Sequence, residues 1–286
     1  MTRYECHGHA LMDGADFSSA RRRHGGGVDE AAVRRCLEAL RRAHVGYFRD
    51  GGDDLGVSLR ARELAGEYGI VYRSPAFAIH KKGRYGSIVG RGWSDLAEYR
   101  ALVAEAKALR CDFIKLMFSG IITFRAYGEL SCPGLTPEEI AALVEIAHGE
   151  GFAVMAHVNG AETVRAAVEA GTDSIEHGYF MDEACLAALA GSRTIWVPTV
   201  AATDAFIGRP GFDPDATRRT VSGQLSMLRK AAGMGILIAS GSDSGAVGVA
   251  HGAGTEAEYG LLYAAGLTDR QLEHANRALA ERFRRN

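Results

Sequence analysis

The chain contains no CxxC pair. Its five cysteines, Cys6, Cys36, Cys111, Cys132 and Cys185, are odd in number and widely spaced. That pattern speaks against a disulfide framework or a thiolate zinc site and for reduced thiols. Long apolar runs are also missing: stretches such as 234–238 are far too short to cross a bilayer. Neither sign of charge dominates, since 33 Lys and Arg face 35 Asp and Glu for a formal charge of −2. A general nucleic-acid or membrane-surface binder is therefore not expected. The opening, MTRYECHGHALMDG, has no apolar h-region and no small-residue cleavage site, so the expected location is the cytoplasm. Three nucleotide and nucleophile signatures are absent: GxGxxG, GxxxxGK(S/T) and GxSxG. Dinucleotide binding, P-loop phosphoryl transfer and an α/β-hydrolase serine site lose their support with them. Cys132 has no activating group near it in sequence and is not read as a nucleophile.

What the chain does have is regular alternation. Hydrophobic residues make up 47% and charged residues 24%, the balance of a globular protein. Eight short apolar runs (4–6, 45–48, 70–72, 113–117, 152–156, 174–175, 195–197 and 236–239) read as strands buried on both faces. Amphipathic stretches separate them. Residues 28–42 place Val33, Cys36, Leu37 and Leu40 on one face, and 96–109 repeats the device. Thr136-Pro137-Glu138-Glu139 supplies a cap, a proline at the first helical position and acids in the first turn. Another helix is expected over 162–170, with Gly171 to close it. Eight βα units in 286 residues average about 36 each, which fits an α/β fold of the (β/α)8 TIM-barrel type, roughly 250 residues plus loops. An open doubly wound sheet would use the same units, but the missing GxGxxG counts against it. One barrel domain over residues 1–286 is the expectation.

Polar residues at the strand ends point the same way. Run one ends in Cys6-His7-Gly8-His9, run four contains Lys115, run five leads to His157, run six to His177 and run eight to Asp243. A barrel gathers the C-terminal ends of its strands on one face, where active sites are built. Alternation sends His7 and His9 to the same side of their strand, a natural claw for a borderline metal such as zinc. Lys115 sits in FIKLMF among large apolar neighbours, where a free ammonium needs a partner.

These residues resemble the amidohydrolase superfamily, in its imidazolonepropionase-like and Xaa-Pro-dipeptidase-like branch. The resemblance rests on His7-Gly8-His9, on FIKLMFSG around Lys115 and on MAHVNGAETVRAAVEAGTDSIEHGYF carrying His157 and His177. SGSDSGA around Asp243, followed by AHG at His251, completes it. It implies a binuclear metal centre, most often zinc. His7, His9 and Asp243 would hold one ion, and His157 and His177 the other. A carboxylated Lys115 would bridge them, a bridging hydroxide would attack, and Asp243 would shuttle the proton. The implied reaction is hydrolysis of an amide C–N bond in a cyclic amide, a dipeptide or an N-acyl amino acid. An esterase or lactonase with the same centre is the alternative within enzymes, and a non-catalytic metal-binding barrel the alternative outside them.

The chain departs from the family in having HxH as early as residue 7, so the usual flanking β-sandwich is not expected. Self-association to cover the barrel's bottom face is expected instead, with the Arg-rich end RALAERFRRN a candidate contact. Among further candidates, His80 and His251 are placed in the catalytic group. His80 would polarise a carbonyl or be purely structural; His251 would touch substrate or serve a turn. Arg125 and Tyr127, in the loop after Lys115, would clamp a substrate carboxylate. The expected partner is a small-molecule substrate.

Overall fold

The computed structural model describes residues 2–284. Strands β1 (Arg3–Gly8), β2 (Val45–Asp50) and β3 (Val71–Arg73) form one parallel sheet in that order. A second parallel sheet holds β4 (Ala78–Lys81), β5 (Gly90–Trp93), β6 (Ile114–Met117), β7 (Val154–Val158), β8 (Ser174–His177) and β9 (Ile195–Val197). Its order is β5-β4-β6-β7-β8-β9.

Helices fill the connections. After β1 come α1 (Phe17–His24) and α2 (Glu30–Arg42), and after β2 comes α3 (Val57–Leu64). Then α4 (Leu96–Ala108) leads into β6, α5 (Pro137–Gly149) into β7, α6 (Ala161–Glu169) into β8 and α7 (Glu183–Ala190) into β9. Beyond β9 lie α8 (Val200–Asp204), α9 (Pro214–Gly233), α10 (Ala253–Ala264) and α11 (Asp269–Arg282).

Local chemistry accounts for the helix starts. Asp29 and Asp95 accept from backbone N–H groups in the first turns of α2 and α4, and Thr136 with Glu139 forms a reciprocal capping box on α5. The buried stripe of α2 is Val33, Cys36, Leu37 and Leu40, as its spacing predicts.

Two runs differ from expectation. The third strand is broken at 74–77, where Ala76 takes φ +59°; β3 pairs with β2, but β4 pairs with β6. β5 was not expected, because Gly-Arg-Gly-Trp has no apolar run; Gly90 packs on the Ala78 backbone, where a Cβ would not fit. The run 236–239 makes isolated bridges rather than a regular strand. Trp196 N donates to the Leu237 carbonyl at 2.9 Å and Ala239 N to that of Trp196 at 2.9 Å. On its other side Cys6 N donates to Ser240 O at 2.8 Å and Asp243 N to His7 O at 2.8 Å. This last segment therefore links the two sheets, giving the strand sequence of a (β/α)8 barrel.

At the N-terminal ends of the strands, Leu279 and Phe283 cluster with Tyr47, Phe113, Met155 and Ile195. The rings of Phe113 and Phe283 meet edge-on at 5.3 Å. The chain's own final helix thus covers much of the face at which self-association was expected; Arg285 and Asn286 of that segment lie outside the described residues. Among the described residues there is no β-sandwich beside the barrel sheets, and no helix is long and apolar enough to cross a membrane.

Candidate metal centre and its cavity

All six expected ligands line one cavity of about 530 Å³. His7 comes from β1 and His9 from just beyond it, Lys115 from β6, His157 from β7, and His177 from β8. Asp243 comes from the segment that links β9 to β1. Strand β1 carries one extra residue relative to β2 between Glu5 and Gly8, the kind of local slip that re-aims a side chain at a site. Close approach is enforced by glycine. A Cβ on Gly8 would lie 2.6 Å from Ser244 Oγ, and one on Gly51 would overlap the His9 ring.

The imidazoles form a connected group. Ring centroids are 4.9 Å apart for His7 and His177, 4.6 Å for His157 and His177, and 5.5 Å for His7 and His9. His7, His177 and Asp243 offer donor atoms within 4.8 Å of one another. Asp243 Oδ1 lies 3.4 Å from His9 Nε2 and 3.7 Å from His7 Nε2.

Hydrogen bonds orient the rings. His7 Nδ1 donates to Glu176 Oε2 at 2.7 Å, which leaves the Nε2 lone pair on the Asp243 side. Glu176 in turn receives Arg49 Nη2 at 2.7 Å and Ser174 Oγ at 2.5 Å. His177 Nδ1 is 2.7 Å from Thr199 Oγ1, and the His177 carbonyl accepts from Trp196 Nε1 at 2.9 Å and Gln224 Nε2 at 3.1 Å. His157 Nε2 donates to the Gly120 carbonyl at 3.2 Å and carries the Tyr85 ring at 5.0 Å. The loop bearing Asp243 is held by Glu5, which accepts from Ser242 N at 2.7 Å, Ser242 Oγ at 2.6 Å and Thr255 Oγ1 at 2.5 Å. Burial pushes the Glu5 carboxyl up to about 7, against the pull of those hydrogen bonds.

The electrostatics suit metal ligation. Burial, with the neighbouring charge of Lys115, pushes His9 and His157 down to about 3, and burial holds His7 and His177 well below the ordinary imidazole range. All four are neutral at physiological pH, the state in which a ring nitrogen can bind an ion. Burial also lowers the Lys115 ammonium and raises the Asp243 carboxyl. Lys115 Nζ and Asp243 Oδ1 are enclosed without a hydrogen-bond partner. Buried polar groups are rarely left this way, and a cation or its bridging ligand would satisfy a donor set of this kind. The residues present fit a divalent metal.

The remaining expectations fare unevenly. His80 is buried in β4, and its Nδ1 donates to the Lys81 carbonyl at 3.0 Å; it does not line the cavity. His251 is also off the cavity, its Nε2 2.9 Å from Met12 O and its Nδ1 3.3 Å from Ser244 Oγ. Arg125 is exposed and paired with Glu129, and Tyr127 lies under the guanidinium of Arg219; neither lines the cavity. A different arginine, Arg209, does. Sequence reading missed Glu176, Arg49, Glu5, Thr199, Tyr85 and Arg209. Glu176 carried a signal, an acid placed directly before His177 inside a buried run.

The sequence model of the amidohydrolase family matches residues 27–274, a span that begins after His7 and His9. The ochratoxinase of Aspergillus niger is 25% identical over 237 residues, covering 73% of this chain and 49% of that protein. The chain thus spans about half the length of the curated relatives it matches. Among solved structures, a Xaa-Pro dipeptidase with methionine bound in its active site superposes with a TM-score of 0.79 at 22% identity. That match covers 99% of this chain and 75% of the other. The A. niger ochratoxinase structure gives 0.77 at 22% identity, over 97% of this chain and 68% of the other. With the family model spanning most of its length and the same fold in both solved structures, this chain belongs to the amidohydrolase family.

Proposed function

We propose that the protein hydrolyses the amide C–N bond of a small N-acyl amino acid, dipeptide or cyclic amide at a centre of two divalent ions, with zinc the expected metal. The observation that carries this reading is the convergence of unpartnered Lys115 Nζ and Asp243 Oδ1 on a cavity ringed by four neutral imidazoles. The names of the relatives, an ochratoxinase and a Xaa-Pro dipeptidase, agree with amide hydrolysis. His7, His9 and Asp243 would hold one ion, His157 and His177 the other, and Lys115 would stand between them. Bound there, divalent ions lower the pKa of water toward about 7 and polarise a carbonyl.

The chain's own groups do the rest. Burial lowers the Lys115 ammonium, so more of it is free amine. That amine adds to carbon dioxide, forming an N–C bond and releasing one proton, which turns a cation into an anionic carbamate suited to two metals. Asp243 takes a proton from the attacking water on one carboxylate oxygen and returns it to the leaving nitrogen. Glu176 and Thr199 keep the His7 and His177 rings aimed. We further propose that the chain works in the cytoplasm as one barrel domain and, with α11 already over the N-terminal ends of the strands, self-associates through another surface; a 30.6 kDa species alone in sedimentation would rule out the association.

The test is elemental analysis of protein reconstituted in zinc and bicarbonate, beside a screen of N-acyl amino acids, dipeptides and lactones. Close to two ions per chain with amide turnover is expected. A single ion with Lys115 unmodified sinks the bridged pair, and turnover of lactones alone moves the chemistry to C–O bonds.

A further inference from the structure

Away from the histidines, the cavity wall is almost entirely apolar. Phe124, Phe206 and Phe212 form an aromatic cluster there: Phe124 and Phe206 stack at 4.8 Å, and Phe212 meets Phe206 edge-on at 4.8 Å. Asp243 is the one acid among the lining residues, and the cations are Lys115 at the buried end and Arg209. Arg209 lies between Phe206 and Phe212 in sequence, half-buried, with its guanidinium carbon 5.5 Å from the Phe206 ring centroid. A Cβ added to Gly248, five residues beyond Asp243, would come within 3.3 Å of Arg209 Nη1, which places that end of the side chain against the Asp243 loop. Among the described residues no carboxylate lies within ion-pair distance of it, whereas Arg125 and Arg219 nearby in the fold are paired with Glu129 and Asp215.

An unpaired guanidinium beside the Phe206 ring on the wall of an apolar cavity is a receptor for an amphipathic anion. Its planar donors match a carboxylate bidentately, and the low-polarity wall strengthens that bond. An α-amino acid presents a carboxylate and a side chain from the same carbon, one bond from the amide nitrogen. We infer that Arg209 binds the free α-carboxylate of the leaving amino acid, and that Phe124, Phe206 and Phe212 receive its large apolar or aromatic side chain. The substrate class is then the N-acylated aromatic or large apolar amino acid with its carboxylate free. This rests on the amide-hydrolase reading above and narrows it; it also moves the carboxylate clamp from Arg125 and Tyr127 to Arg209.

The probes are N-benzoyl-L-phenylalanine and its carboxamide, with benzoate release measured for the zinc-loaded wild type, Arg209→Met and Arg209→Lys. The wild type is expected to favour the acid by about tenfold or more in kcat/KM. In Arg209→Met that preference collapses, chiefly through a KM for the acid raised about tenfold while kcat changes little; Arg209→Lys restores part of it. Phe206→Ala should reduce discrimination between benzoyl-phenylalanine and benzoyl-glycine. An acid-to-carboxamide ratio unchanged in Arg209→Met overturns the inference while leaving amide hydrolysis standing. If no variant releases benzoate, the amide-hydrolase reading fails for these probes, and calorimetric binding of benzoyl-phenylalanine decides the inference by itself. Binding weakened about tenfold by Arg209→Met supports it, and equal or absent binding overturns it.

Discussion

Glu176 and His7 are joined by a 2.7 Å hydrogen bond, from His7 Nδ1 to Glu176 Oε2, with both side chains sealed from solvent. The same carboxylate receives buried Arg49, whose Nε also reaches the Cys6 carbonyl at 2.7 Å and whose face lies 4.2 Å from the Phe283 ring centroid. One acid therefore sets the tautomer of a proposed ligand and neutralises an arginine that reaches to the plug of the barrel.

Glu176→Gln should consequently damage both stability and metal binding. Removing one partner of a buried ion pair costs about 3–5 kcal/mol, and loss of the group that orients a ligating histidine costs about 10–100-fold in metal affinity. Urea unfolding of metal-free protein reads the first, and chelator competition the second. A variant as stable as wild type would show that Arg49 is satisfied without Glu176.

Asp243→Asn separates holding the metal from moving the proton. Asparagine keeps the shape and one oxygen but cannot take and return a proton near neutral pH. The expected kcat falls by about a hundredfold or more, with much of the metal retained on the same preparation. A kcat that falls only in proportion to metal lost would make Asp243 a ligand alone.

Gly51→Ala places a methyl where the His9 ring lies. Overpacking of this kind costs about 1–3 kcal/mol, and here it is relieved only by shifting a ligand. Metal content per chain should drop while the far-ultraviolet circular dichroism stays that of wild type. Full metal content would show that the ring has room to turn.

Glu258 supplies a pH signature away from the centre. It is buried, its Oε2 accepts from Ala201 N at 2.7 Å, its Oε1 has no partner, and burial pushes its carboxyl up to about 8. The folded protein thus keeps a proton that the unfolded chain releases near pH 4.5. Stability from this residue is full below that pH and is lost as pH rises toward 8. Glu258→Gln removes the slope. Relative to wild type it should gain about 1 kcal/mol or more between pH 5 and pH 8, read as about 2–4 °C in Tm. Parallel Tm profiles for the two proteins would place the Glu258 proton elsewhere.

The sequence was most legible where one residue type answers one local demand. His7, His9, Lys115, His157, His177 and Asp243 announced themselves because metal-capable residues at the ends of apolar runs are few, and all six line the cavity. Helix α5 was plain in Thr136, Pro137 and Glu139 because capping is decided within four residues. Arg209 was hidden because nothing local distinguishes a cavity arginine from a solvated one; only the fold sets it between the Phe206 ring and the Asp243 loop. Arg125 misled for the same reason, since its partner Glu129 removes it from the site. The broken third strand was illegible because β4 and β5 pair through Gly90 and Gly92, which carry no periodic signal.

Two of the proposed ligands, His177 and Asp243, sit at φ +70° and +60°, in the left-handed region that side chains other than glycine rarely adopt. Each such residue costs of order 1–3 kcal/mol and persists because its surroundings dictate it. Here Trp196 and Gln224 grip the His177 carbonyl, and Asp243 N is tied to His7 O. Selection for a hardier fold alone would favour glycine at both positions and erase the centre as it did so. A thermostabilisation campaign scored only by melting temperature should therefore drift toward these two sites, trading turnover for robustness unless metal content is scored alongside.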